Sequence, residues 1–393
     1  MEMIIYLHSC NTKVVFDMLY QAHAKIHLRN IKRNLENLRQ FINKEARLLL
    51  AMKANAYGHD AVAVATMAEH YGLVDWLGVA TVPEGLELRR EGVKLPILKF
   101  SPAFPEEMEA ALEARLTLAV CDYTNARQLQ ALCKQRRLQA NVHLKVDTGM
   151  GRLGIEAQGA PDLAAFIETQ CPNLRMEGLF THLPLGDQIQ GHAFTQNQIA
   201  AFRTCIEDIS NAVKHPPTLN HCASSGAILE HRNSWFDMVR SGTLAYGYYP
   251  MGYPKTPLEL APGLTLASRV AYLKKIKKGQ GIGYGLTWTA DRDTWIATMP
   301  IGYADGLDRR LSNRGRVLIK GNYYPLVGLI CMDQTMIDLG PSTDITVGEE
   351  VILIGKSGNQ EITIYEIAEL LGTIPCDIAC QIGPRIKRLI NNV

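Results

Sequence analysis

Apolar residues along this chain follow two different rhythms. Over the first two-thirds they gather in short runs separated by longer, mixed segments. The runs are ARLLLAMKA (46–54), DWLGVAT (75–81), LPILKF (95–100), LTLAVCD (116–122), NVHLKVDTG (141–149), MEGLFTHL (176–183), TLNHCAS (218–224) and DMVRSGTLAYG (237–247). The segments between them mostly carry helical period, as in NIKRNLENLRQFI and EEMEAALEA. Runs that are apolar throughout, rather than alternating, belong to strands covered on both faces, and strands alternating with helices form a parallel sheet. Eight such units close into a (β/α)8 barrel of the TIM type.

After GYYPMGYPKTPLELAPG (247–263) the rhythm changes. SRVAYLKKI, TWIATMPIGY, GRVLIKGNYYPLVGLICMD and EEVILIGK follow one another with only turns between them, as antiparallel strands do. The expected organisation is an α/β chain: an extension over residues 1–17 with no firm structural role, a barrel domain over 18–258, and a C-terminal, mostly-β domain over 259–393. An early strand, AHAKIHL (22–28), stands outside the eight and is expected to pair with the C-terminal domain.

Composition narrows the function. With 393 residues, 47% hydrophobic and 20% charged, the chain has the make-up of a soluble, enzyme-sized protein of two domains. A formal charge of +2 supplies no basic field for nucleic acid or an acidic membrane surface, which leaves small molecules and a second copy of the chain as partners. Nine cysteines without a C-x-x-C pair fit a reducing cytoplasm. No run approaches a membrane span, and MEMIIYLHSC lacks the basic start and apolar length of a signal peptide.

In a barrel of this kind, chemistry sits at the carboxyl ends of the strands. The sequence places Lys53 at the end of the first run, Lys145 and Arg152 on and after the fifth, His182 at the end of the sixth, Ser225 after the seventh and Arg240 on the eighth. Each alone would more often be a solvated surface group, but six on one rim point to a site. The small residues of ASSGA and RSGTLAYG lie where backbone N–H groups can face an anion, a frequent phosphate site after the last two barrel strands. GQGIGYG (279–285) is glycine-rich too, but no helix follows it, so a dinucleotide fingerprint is not supported. A lysine at the mouth, a phosphate cradle opposite and an arginine between them suggest pyridoxal 5'-phosphate, whose aldehyde forms a Schiff base with an amine.

The stretches MKANAYGHD, LKVDTGMGRLG, LFTHL, MVRSGTLAYG, GYGLTWTA, PIGYADG and ICMDQTMID resemble, in order and spacing, the successive motifs of the alanine racemases. The resemblance covers about residues 22 to 390 and implies a homodimer in which each barrel faces the β domain of the other chain. It implies that Lys53 is the Schiff-base lysine and one catalytic base, with Tyr284 of the second subunit as the other. It further implies that Tyr57, Ser225, Gly242 and Thr243 hold the phosphate, that Arg240 meets the pyridine nitrogen, and that His221 supports Arg240. Arg152 would bond the phenolic oxygen of the cofactor and reach the substrate, His182 would stand by Tyr284, and Tyr303 and Met332 would face the substrate carboxylate. Lys145, expected near Arg152, would carry CO2 as an anionic carbamate; read without the resemblance, it points outward or pairs with Asp147. The metabolic role implied is supply of D-alanine for cell-wall peptidoglycan.

Racemisation removes a hydrogen from one face and returns a proton to the other, so bases must flank the reacting carbon. A phenol titrates near ~10 and needs neighbours to act as a base. Arg152 and a protonated or hydrogen-bonding His182 are the groups expected to help. Competing readings are a decarboxylase of the same architecture, disfavoured by Arg240 and Tyr284 where such enzymes generally carry an acid and a cysteine, and a non-catalytic pyridoxal phosphate carrier, which leaves the β domain without a purpose. One departure from the family bears on substrate choice. The usual Thr-Ile-Pro-Tyr-Glu stretch reads TIPCDIACQ here, so Cys376 stands in the place of a tyrosine, and a serine or broader-specificity racemase becomes the alternative.

Overall fold

The computed structural model describes residues 21–250 and 258–391. The extension over 1–17 and part of the proline- and glycine-rich segment lie outside the described residues. The described residues divide into two compact units, one within Leu28–Gly263 and the other combining the chain before Leu28 with the chain from Leu264 onward.

In the second of these, strand β1 (His23–His27) is the N-terminal contribution. The first unit opens with the helix Leu28–Phe41, whose buried residues Leu28, Ile31, Leu35 and Leu38 recur at helical spacing. Asn34 interrupts that apolar stripe and is fully buried. Its amide donates to the carbonyls of Ala245 and Ala261, and its oxygen accepts from the Ala261 N–H, so the segment after the last barrel strand is fastened to this helix.

Eight parallel strands follow: β2 (Arg47–Ala51), β3 (Trp76–Val79), β4 (Ile97–Lys99), β5 (Leu116–Val120), β6 (Ala140–Asp147), β7 (Leu174–Phe180), β8 (Leu219–His221) and β9 (Met238–Ser241). Each corresponds to one apolar run of the sequence. They pair in order from β2 to β8, and β9 pairs with β2 in parallel, Arg240 opposite Leu49. Between β8 and β9 the barrel is joined by side chain as well as backbone. The Asp237 carboxylate accepts from both the N–H and the side-chain amide of Asn220, and the N–H groups of Asp237 and Arg240 donate to the carbonyls of Asn220 and Ala223. The result is a nearly closed barrel whose interior is packed by Leu49, Trp76, Leu98, Leu219 and Met238.

The other unit is mostly β. Its main strands are β10 (Leu264–Arg269), β11 (Tyr272–Ile276), β12 (Thr294–Met299), β13 (Arg316–Ile319), β14 (Asn322–Val327), β15 (Thr335–Gly340), β16 (Glu350–Ser357) and β17 (Lys387–Asn391). The sheet runs β11-β12-β15-β14-β13-β16-β10-β1-β17. β1 lies antiparallel to β10, Ala24 opposite Leu266, and parallel to β17. Its outward and inward residues alternate, as the burial of Ala24 and Ile26 shows.

Candidate active site

Lys53 leaves the end of β2 on an unusual piece of backbone. Ala54, Asn55, Ala56 and Tyr57 all have φ of 53–54°, making a turn of left-handed helix from residues that carry side chains. Such a turn costs on the order of 1–2 kcal/mol per residue and persists only where the surroundings impose it. Here they do. The Ala54 N–H donates to Glu84 Oε1 at 2.7 Å and the Ala61 N–H to Asn55 Oδ1 at 2.7 Å. His59, fully buried and stacked on Tyr246 with ring centroids 4.7 Å apart, donates through Nδ1 to the Tyr57 carbonyl at 2.8 Å. Lys53 Nζ then stands 5.9 Å from the centre of the Tyr57 ring.

Tyr57 faces the opposite wall at Gly242. A Cβ at residue 242 would stand 2.7 Å from Tyr57 Oη and 3.7 Å from Ser225 Oγ, so only glycine leaves that space open. The Gly242 N–H donates to Ser225 Oγ at 2.9 Å, and Thr243 follows directly. Two hydroxyls and a backbone amide thus converge at the ends of β2, β8 and β9.

Arg240, two residues before Gly242, is buried, and both its terminal nitrogens are engaged. Nη1 donates to His221 Nδ1 at 2.8 Å and to the His221 carbonyl at 3.0 Å. Nη2 donates to the carbonyls of Thr181 and Cys222, with His182 Nδ1 at 3.3 Å. Burial lowers the guanidinium to about 10, so it remains a cation. That cation and burial together hold the imidazoles around it neutral. His182 is pushed down to about 2, by burial first and then by Arg240 and Arg152, and His221 well below its usual range, again by burial and then Arg240. The protonated His182 admitted on sequence grounds is therefore corrected: in this field it is a neutral ring, and hydrogen bonding is what it has to offer.

Lys145 points into the barrel, not outward, and is buried. Its amine donates to the Val146 carbonyl at 3.1 Å and lies 5.0 Å from the centre of the Phe180 ring. Asp147 is occupied elsewhere, accepting the N–H groups of Gly149, Met150 and Gly151. Burial, then Arg240, bring the Lys145 ammonium down to about 7. Arg152 lies exposed in the loop after β6, near enough to depress both Lys145 and His182. Among the described residues no acid pairs with Lys145, Arg152 or Arg240 within ion-pair distance, which leaves a cationic rim suited to an anionic ligand.

The structure thus brings together Lys53, Tyr57, Lys145, Arg152, His182, His221, Ser225, Arg240, Gly242 and Thr243 on one unit. Tyr284, Tyr303, Met332 and Cys376 belong to the other. Tyr284 begins a single-turn helix, Tyr284–Leu286, between the paired strands Gly281–Ile282 and Trp288–Thr289, and is 70% exposed. The Tyr303 turn and the Met332 loop lie back to back, Tyr303 N–H donating to the Cys331 carbonyl and Ala304 N–H to that of Met332. Arg385 bridges the same two segments through Asp305 and Asp333. Cys376 lies on the first turn of the helix Pro375–Gln381, partly buried.

Sequence reasoning overlooked Glu84, His59 and His143. The first two act on backbone strain that no pattern announces. His143 had a signal: it lies two residues before Lys145 on β6, hence on the same inward face.

The fold and this rim define a barrel enzyme with an appended β unit and a lysine-bearing, anion-accepting site at the strand ends. Residues 26–250 match the family described as alanine racemase, N-terminal domain, and residues 263–390 match alanine racemase, C-terminal domain. The chain is 44% identical over 367 residues to an alanine racemase of Cutibacterium acnes, covering 93% of this chain and 97% of that one. It is 40% identical over 372 residues to one from Symbiobacterium thermophilum, covering 95% and 97%. Among solved structures, alanine racemase of Clostridium difficile 630 superposes with a TM-score of 0.89 at 35% identity, covering 94% and 96% of the two chains. One from Bacillus anthracis with bound L-Ala-P also gives 0.89, at 34% identity and 95% coverage of both. The chain belongs to the alanine racemase family, whose members are isomerases. The (β/α)8 barrel with a separate, mostly-β C-terminal unit stands as expected.

Proposed function

We propose that this protein interconverts L- and D-alanine with pyridoxal 5'-phosphate as cofactor, using Lys53 and the Tyr284 of a second subunit as its two bases. The observation that carries the reading is the glycine-lined cradle of Tyr57, Ser225 and Gly242 within reach of Lys53, since a space that any Cβ would fill, walled by hydroxyls and an amide, suits a phosphate. Tyr57, Ser225, Gly242 and Thr243 would hold the phosphate, Lys53 the aldehyde end and Arg240 the ring nitrogen. When bound, the cofactor supplies an electron sink for charge on the α-carbon of an amino acid.

The remaining work falls to the chain itself. Lys53 takes or returns the α-proton on one face, and Tyr284 serves the other. Arg240, a cation that does not readily give up its proton, keeps that sink weaker than an acid partner would, which disfavours transamination. Arg152 meets the substrate carboxylate and the phenolic oxygen, and the neutral His182 orients Tyr284 by hydrogen bonding. Lys145, with its ammonium brought down to about 7, has the free-amine form that carbamate formation requires, and the anion formed would pair with Arg152.

Tyr284, Leu286, Tyr303 and Met332 are 44–70% exposed on the β unit, and large apolar groups of that kind suit a face covered by a second copy. The racemase reading carries with it a homodimer with shared sites and a cytoplasmic enzyme making D-alanine for peptidoglycan. Among the described residues no helix is long and apolar enough to cross a membrane.

The test is direct. Purified protein supplied with pyridoxal phosphate should convert either enantiomer of alanine to the racemate, and borohydride should fix the cofactor to Lys53. A yellow protein that leaves both enantiomers unchanged would leave only a carrier, and label on Lys145 would overturn the site.

A further inference from the structure

The hydrogen-bond pattern around Arg240 does not stop at His221. A guanidinium can only donate, so His221 must accept at Nδ1 and carry its proton on Nε2. His221 Nε2 lies 3.0 Å from His143 Nδ1, deep in the barrel, and the proton it carries makes His143 the acceptor. His143 in turn must hold its own proton on Nε2. That atom faces Glu177 Oε2 at 3.9 Å, and among the described residues neither has a hydrogen-bond partner although both are buried. A row of donors therefore runs from the cradle to a carboxyl group on β7, each pointing the same way.

The surroundings hold these rings in place. His221 is stacked on Phe180 with centroids 4.9 Å apart and planes 4° from parallel, and His143 lies 5.3 Å from the Trp76 ring. Gly178, next to Glu177 in sequence, presses against His143 so closely that a Cβ there would stand 2.5 Å from Cε1. Burial keeps both imidazoles neutral, with His143 at about 3, which makes the position of each single proton the only variable left.

We propose that His143 and Glu177 are positioning residues that extend the Arg240–His221 bond through the barrel and fix each imidazole as its Nε2–H form. With the Glu177 carboxyl group 3.9 Å beyond the last Nε2–H, the aligned donors favour positive charge at the Arg240 end and keep its remaining face presented to the cradle. This consequence for catalysis rests on the racemase reading above; the proton positions do not.

Neutron diffraction from perdeuterated holoenzyme crystals decides the proton positions. Deuterium is expected on Nε2 of both His221 and His143, and deuterium on Nδ1 of either overturns the proposal. The consequence is read from His143→Leu loaded with pyridoxal phosphate. Its kcat should fall roughly tenfold with the KM for alanine changed by less than about twofold, and the visible band of the bound cofactor should shift. A folded variant with unchanged kcat and spectrum would make His143 merely structural and overturn the positioning role; should the variant not fold, the neutron result on the unaltered protein decides. Glu177→Leu should shift the band in the same direction, and a band like that of the unaltered protein ends the chain at His143. Absence of any visible band or racemisation in the unaltered protein would instead refute the racemase reading, with the proton positions still measurable.

Discussion

Arg240 and His221 are joined by a 2.8 Å hydrogen bond from Nη1 to Nδ1, and because a guanidinium only donates, this contact puts the His221 proton on Nε2. Because the guanidinium also satisfies the carbonyls of Thr181, His221 and Cys222, it is a structural keystone of the barrel mouth as much as a group facing the cradle.

Removing it should be costly before any chemistry is measured. Arg240→Met leaves three buried carbonyls and the His221 lone pair without that donor, at about 1–3 kcal/mol for each group left unmet. Denaturant unfolding of the apoprotein should show a loss of at least ~3 kcal/mol, with Arg240→Lys falling between. A variant as stable as the parent would mean that water replaces the guanidinium at little cost.

Lys145 makes a second stability prediction, with an unusual sign. Its amine is held at about 7 in the folded chain against 10.5 in the unfolded one. Between those values the unfolded state binds more protons, so stability rises with pH; below about 7 both states are protonated and the cost of burying the ammonium is fully present. Lys145→Met should flatten the rise in unfolding free energy over that window when measured without CO2. His143, lowered from 6.5 to about 3, acts in the same direction at acid pH, its contribution being lost as pH falls from 6.5 towards 3, by about 1.4 kcal/mol per pH unit.

The shared site has its own test in chain exchange. Lys53→Ala and Tyr284→Phe chains should each be nearly inactive. Mixed under conditions that exchange subunits, they should recover activity, because a mixed dimer contains one site with both bases. No recovery despite demonstrated exchange would place both bases on one chain.

The eight barrel strands were legible because parallel strands covered on both faces read as unbroken apolar runs, and β2 through β9 answer them one for one. Lys53, Lys145, His182 and Arg240 were legible because strand ends in a barrel converge. The left-handed turn at Ala54–Tyr57 was not, since alanine and tyrosine carry no sign of positive φ and the turn is imposed by Glu84, 30 residues on. Nor was the neutrality of His182, which comes first from its own burial and then from the Arg240 charge beside it.

Cys376 is the position at which substrate choice can be tested. The helix it lies on begins with Pro375 and is anchored by Thr373 Oγ1, which donates to Asp377 Oδ2 at 2.6 Å, so the backbone that would carry a tyrosine is well defined. A cysteine there is smaller by a whole phenol ring and offers no hydroxyl. Two consequences compete: a water takes over the missing hydrogen bond and the preference for alanine survives, or the space admits a longer side chain such as the hydroxymethyl of serine. An apolar pocket rejects one added hydroxyl by only roughly a hundredfold even when intact, and loss of a wall erodes that margin. Measurable serine racemisation beside that of alanine is therefore expected, and Cys376→Tyr should raise the alanine-to-serine ratio of kcat/KM. If that substitution leaves the ratio unchanged while activity persists, Cys376 does not border the substrate, and its difference from the family pattern has no bearing on specificity.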